Sequence, residues 1–115
     1  MKGAAFDYYY FDPRAKDMPD EQDYTAWDLG KIMMCHILFL YIHADDPGGH
    51  NAFFEAGVAV GLGKRVIFIN EKEEIDRYTR MIQVAAEFYA CKLEQGIGYL
   101  KGLAALREFT KIRLD

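Results

Sequence analysis

CHILFLYIHADDPGGHNAFFEAGVAVGLGKRVIFIN, residues 35–70, is the stretch that decides the fold. Residues 35–42 form a nearly unbroken apolar run, the mark of a strand covered on both faces in a mostly parallel sheet. His43-Ala44-Asp45-Asp46-Pro47-Gly48-Gly49 then reads as a loop. Asn51 is placed to cap a helix running through Gly63, and residues 65–70 are a second short apolar strand, closed by the charged turn Glu71-Lys72-Glu73-Glu74. Strand, loop, helix and strand in that order imply an open parallel sheet with helices layered on it.

On the N-terminal side, residues 5–11 are rich in Phe and Tyr and stop at Asp12-Pro13, a strand running into a loop. Tyr8, Tyr9 and Tyr10 suggest a base-stacking platform, but adjacent strand residues point to opposite faces, which favours core and surface packing. From Pro19 the period changes. Tyr24, Trp27, Lys31 and Met34 share one helical face, and Asp17, Asp20 and Glu21 lie near the N-terminus, where the helix dipole favours acids, giving a helix of roughly four turns. On the C-terminal side, residues 76–94 and 97–112 are read as two helices separated by Gln95-Gly96. Their apolar residues Met81, Val84, Ala85 and Phe88, then Leu100, Leu103 and Leu106, recur at helical spacing.

Composition narrows the class. The chain has 115 residues, enough for one core, and is 51% hydrophobic with no low-complexity run, so a single folded domain over residues 1–115 is expected. The formal charge is -4 with Lys and Arg scattered, which excludes a footprint for duplex nucleic acid. Residues 37–42 are too short to span a bilayer and the N-terminus lacks the apolar core of a signal peptide, so no membrane partner and a cytoplasmic location are expected. Cys35 and Cys91 belong to no C-x-x-C pair. His36 and His43 bracket an extended run of roughly 23 Å and cannot share a metal, so no metal site is expected.

Ligands of open parallel sheets sit beyond the carboxyl ends of the strands, which directs attention to residues 45–51. Gly48 and Gly49 permit a tight backbone approach to a ligand, and the helix that follows offers free N–H groups to an anion, although Asp-Pro-Gly-Gly is also ordinary turn chemistry. Glu55 is the sharper observation, because the helix around it is otherwise apolar on every side. Either it is a functional carboxylate or it is satisfied by the helix dipole and a cap near the helix start. Gly57 and Gly61, four apart, suggest a neighbouring element packed closely on the same helix. Asp28 is the second candidate, on a helix leading directly into the strand at residues 35–42; the alternative is a solvated helix face. His43 and Asp46, at the strand end, suit hydroxyl binding or proton shuttling, or equally a loop hydrogen bond.

Phe11-Asp12-Pro13-Arg14, Trp27-Asp28-Leu29, the apolar strand, Asp46-Pro47-Gly48-Gly49, Phe54-Glu55-Ala56-Gly57-Val58-Ala59 and Leu62-Gly63-Lys64-Arg65-Val66-Ile67 follow one another in an order that resembles the nucleoside 2-deoxyribosyltransferase-like proteins. The match covers about residues 11–69. It implies a Rossmann-like or flavodoxin-like α/β fold, an open and mostly parallel sheet with helices on both faces, here without the family's first strand. By this resemblance Glu55 is the nucleophile that attacks the anomeric carbon of a nucleoside, Asp28 contacts the base and assists its protonation, and Asp46 lies near the acid that orients the sugar. His43, Gly48, Gly49 and Asn51 complete the substrate-binding set. No cofactor is implied. The expected partner is a small nucleoside or nucleotide, handled by an N-glycosyl transferase or hydrolase, and the expected state is a homo-oligomer that covers open sheet edges. The alternative is a nucleotide-binding module that keeps the fold without turnover.

Overall fold

A computed structural model describes residues 21–46 and 50–114. The strand expected at residues 5–11, with Tyr8 to Tyr10, lies outside them. Among the described residues the chain is an α/β arrangement of three parallel strands with helices on both faces. In chain order it runs α1 (Glu21–Met34), β1 (Ile37–Ile42), α2 (His50–Gly61), β2 (Arg65–Asn70), a 3-10 helix (Glu73–Thr79), α3 (Arg80–Ala85), β3 (Phe88–Ala90) and α4 (Leu93–Leu114). The sheet order is β1-β2-β3. Both pairings are parallel, with Ile37 opposite Arg65, Ile42 opposite Asn70, and Ile67 opposite Phe88.

The apolar runs are continuous because alternate side chains serve two cores. Leu38, Leu40 and Ile42 of β1 and Val66 and Phe68 of β2 pack with Ile32 of α1, with Cys35 just beyond it, and with Ala56 and Ala59 of α2. Ile37, Ile67 and Ile69 point the other way, onto Leu100 of α4 with Phe39, Tyr99 and Leu103 around them. Val66 to Ile69 are essentially excluded from solvent, which at about 1.5–3 kcal/mol for each fully buried aliphatic or aromatic side chain makes β2 the centre of the hydrophobic stabilisation. Helices α1, α2 and α3 therefore cover one face and α4 the other.

Five expectations from the sequence need correction. Residues 76–94 are not one helix: Ala86 adopts an extended backbone, φ -72° and ψ 146°, and the chain leaves α3 to form β3. The aromatic pair Phe88-Tyr89 explains the switch, since in a strand Phe88 packs toward α4 and Tyr89 toward the opposite core, where a helix would expose one of them. Met81 and Val84, read as core, are each 87% exposed, and Ile82 and Ala86 face inward instead. Gln95 and Gly96 do not separate two helices but lie within α4, where Gly96 is buried against the sheet. On α1 the inward stripe runs through Ile32 and continues to Cys35 just beyond the helix, leaving Met34 61% exposed rather than on the packed face. Finally, a Cβ at Gly57 or Gly61 would meet nothing within 4 Å, so among the described residues no element packs tightly on that side of α2.

Candidate functional site

The topology sends α1 and α2 side by side on one face of the sheet, and this decides where their carboxylates go. Glu55 belongs to the stripe of α2 that includes Ala52, Ala56 and Ala59, the residues nearest the core. Its neighbours Phe54 and Gly57 face outward, with Phe54 57% exposed. The helix is thus inverted in part: its one charge is turned inward while a large apolar ring is turned out. Asp28 precedes Ile32 by one turn of α1 and shares its inward stripe, and its Oδ1 is shut off from solvent. The solvated-face alternative for Asp28 does not hold for this geometry.

The two groups feel one another. Burial, and secondarily the negative charge of Asp28, push the Glu55 carboxyl up to about 7. A carboxylate in low-dielectric surroundings beside a second carboxylate resists ionisation, because both desolvation and like charge penalise the anion. Near neutral pH the Glu55 carboxyl therefore exchanges its proton readily, a property suited to acid–base or nucleophilic work.

The carboxyl end of the sheet is a separate cluster of polar contacts. The Asp46 amide donates to the His43 carbonyl at 3.1 Å, and the Asp46 carbonyl accepts from Lys72 Nζ, which ties the loop after β1 to the loop after β2. His43 Nδ1 accepts the Asp45 amide at 3.1 Å, and its ring meets Tyr41 edge-on with centroids 6.1 Å apart. These contacts show His43 in the role of loop hydrogen bonder. Asn51 is exposed and already inside α2, which begins at His50, so it is not the residue that caps the helix. Gly48 and Gly49 lie outside the described residues.

Two residues of consequence were missed in the sequence reading. Glu71, taken as part of a charged turn, accepts the Tyr41 hydroxyl at 2.7 Å on one oxygen and the Leu93 amide at 2.9 Å on the other. Its carboxylate thus joins β1 to the first turn of α4, where the helix dipole favours an anion. Asn70, buried at the end of β2, accepts the Lys72 amide at 3.0 Å and donates back to the Lys72 carbonyl at 3.2 Å. The available signal was position: both residues stand at the junction of an apolar strand with its loop, where a polar side chain is enclosed by the strand ends.

No helix among the described residues is long and apolar enough to cross a membrane. Comparison of the chain with protein-family models, with curated proteins and with solved structures finds no match.

Proposed function

We propose that the chain is an N-glycosyl transferase or hydrolase of the nucleoside 2-deoxyribosyltransferase-like kind, with the Rossmann-like architecture of that family, acting on a nucleoside or nucleotide through Glu55. The observation that carries the reading is the inward-facing pair of Glu55 on α2 and Asp28 on α1, in surroundings that hold the Glu55 carboxyl at about 7. A pair of carboxyl groups, one ionised and one protonated, is what displacement at an anomeric carbon requires: one oxygen forms the bond to carbon and the other group supplies a proton to the departing base. With its carboxyl at about 7, Glu55 can take or give up a proton near neutral pH. This reading extends the sugar or base of the ligand toward Asp46 and His43, beyond β1.

Incubation with a panel of nucleosides and nucleotides, followed by chromatography for released base, tests this directly. Release that disappears in Glu55→Gln is the expected result. Release that persists in that variant removes Glu55 from the role. Binding without release by the unaltered chain leaves a nucleotide-binding module.

A further inference from the structure

Resting on the reading just given, we infer that the ligand of this site is an N-glycoside whose base carries a positive charge on a quaternised ring nitrogen, and that neutral and phosphorylated nucleosides are the poorer ligands. Three placements support it. First, the two groups turned inward between α1 and α2 are both acids, and one oxygen of Asp28 is sealed from solvent.

Second, the carboxyl edge of the sheet is acidic among the described residues. Asp45 and Asp46 follow β1, Glu71, Glu73 and Glu74 follow β2, and Glu94 follows β3, against Lys72 and Lys92. Third, two cations are committed at the opposite edge: Lys64 donates to the Met33 carbonyl at 2.9 Å, and Arg65 is held in a two-pronged contact by Glu87 at 2.5 and 2.7 Å. A field of this sign attracts a cation and opposes a phosphate dianion.

The chemistry agrees with the placement. A neutral base must be protonated as it leaves, whereas the surroundings of Glu55, the group that must be an anion, resist its ionisation. A cationic base removes both difficulties, since its charge favours the Glu55 anion and its departure needs no acid. An oxygen of Glu55 forms a bond to the anomeric carbon while the carbon–nitrogen bond breaks. The bonding pair stays on the ring nitrogen and neutralises it. Water then bonds to the same carbon, the carbon–Glu55 bond breaks with its pair returning to the carboxylate, and one water proton passes by Asp28 to solvent. The products are a neutral heterocycle, a free sugar and one proton per turnover.

The test compares a pyridinium riboside, its 5′-monophosphate, and uncharged purine and pyrimidine nucleosides as substrates of the full chain, reading base release and proton release. The pyridinium riboside is expected to exceed each of the others in kcat/KM by at least about tenfold, which is ~1.4 kcal/mol of preference. Equal or faster cleavage of an uncharged or phosphorylated nucleoside overturns the inference. If no glycoside is cleaved, the catalytic reading fails, and titration calorimetry of the pyridinium riboside against its uncharged dihydropyridine analogue, nearly identical in shape, decides the inference separately. Tighter binding of the cation sustains it; equal binding or none overturns it.

Discussion

Gly96 of α4 lies so close to Ile69 of β2 that a Cβ built on it would stand 2.6 Å from both Cγ1 and Cδ1 of that side chain, with Phe39 Cζ at 2.8 Å. Ile69 has no solvent-exposed surface into which to retreat. Helix α4 can rest on the sheet at this height only with a hydrogen at position 96. Two effects oppose one another in Gly96→Ala: the gain in helix propensity, about 1 kcal/mol, and the overpacking of a filled core, about 1–3 kcal/mol. The overpacking wins, and chemical denaturation should show a less stable variant. Adding Ile69→Val, which deletes the Cδ1 atom, should recover part of the loss, and a strictly additive double variant would contradict the contact.

Glu55 sets a pH dependence of unusual sign for a carboxylate. Its folded value, about 7, is above its ordinary value of 4.5, so folding favours the protonated form. The penalty is absent below the ordinary value, grows as pH rises between the two, and is complete above about 7, where it approaches ~3 kcal/mol at 1.36 kcal/mol per unit before allowance for partial solvent access. Thermal melts of Glu55→Gln should therefore match or fall below the parent at pH 4 and exceed it at pH 8. A constant difference across that range would show that Glu55 is solvated.

Catalysis should respond to the same group in the opposite sense. If Glu55 attacks as an anion, activity rises with pH along a limb centred on about 7. Asp28→Asn removes the neighbouring charge that raises Glu55, so the limb should move to lower pH while the rate with an uncharged base falls on the order of 10²-fold through loss of the acid. With a pyridinium riboside the limb should move while the loss of rate is smaller, because base departure needs no acid and only passage of the water proton by Asp28 is lost. An unmoved limb in Asp28→Asn would separate the two carboxyl groups.

Glu71 has the usual carboxylate behaviour. The Tyr41 hydroxyl and then the Leu93 amide hold its carboxyl below the ordinary value, so the stabilisation is present above that value and is lost as the folded group becomes protonated in acid. Glu71→Gln keeps an acceptor for only one of the two donors. Its melting temperature should fall relative to the parent at neutral pH, and the two should converge on acidification. Loss of amide protection at Leu93, measured by hydrogen exchange, is the accompanying local sign.

At the other edge, Glu87 receives Arg65 through two contacts and the Tyr99 hydroxyl at 2.7 Å, joining the start of β2 to the residue before β3 and to α4. The Arg65 side chain is 43% exposed, so screening limits the gain, and Glu87→Ala should cost about 1 kcal/mol or less. Most of that difference should disappear in 1 M salt; a cost that survives it would assign the effect to packing of Tyr99 on Phe88.

Legibility in the sequence followed the strength of the local period. The two central strands were readable, with β2 at its observed bounds and β1 beginning two residues inside the expected run, because residues 37–42 and 65–70 are apolar without interruption and end in polar loops. Helix α2 between them was equally plain. By contrast β3 spans three residues, Phe88 to Ala90, and its pairing with Ile67 to Ile69 depends on a neighbour about twenty residues away that no local window includes. Gly96 carries a break signal in sequence, and only the closeness of the sheet explains why a helix keeps a glycine there. Within the candidate site, the lone charge in the apolar sequence of α2 singled out Glu55 as a candidate. The inward turn of Asp28 was not readable, since Tyr24, Trp27, Lys31 and Met34 defined a rival helical face, and the choice between faces was made by Ile32 and Cys35 meeting β1 and α2.

The parallel arrangement also constrains how the chain can reach this state. Residues 43–64 intervene between β1 and β2 and residues 71–87 between β2 and β3, so among the described strands no pairing arises from a tight hairpin. Each ladder must wait for a long loop to close before its contacts repay that entropy, which slows the search relative to a helical bundle of similar size. Assembly must then converge on β2, the strand common to both ladders and both cores, so that its amides from Val66 to Ile69 exchange with solvent only when the whole domain opens. The slowest-exchanging hydrogens therefore record global unfolding, while those of α3, with Met81 and Val84 in water, report a local opening that leaves the sheet intact.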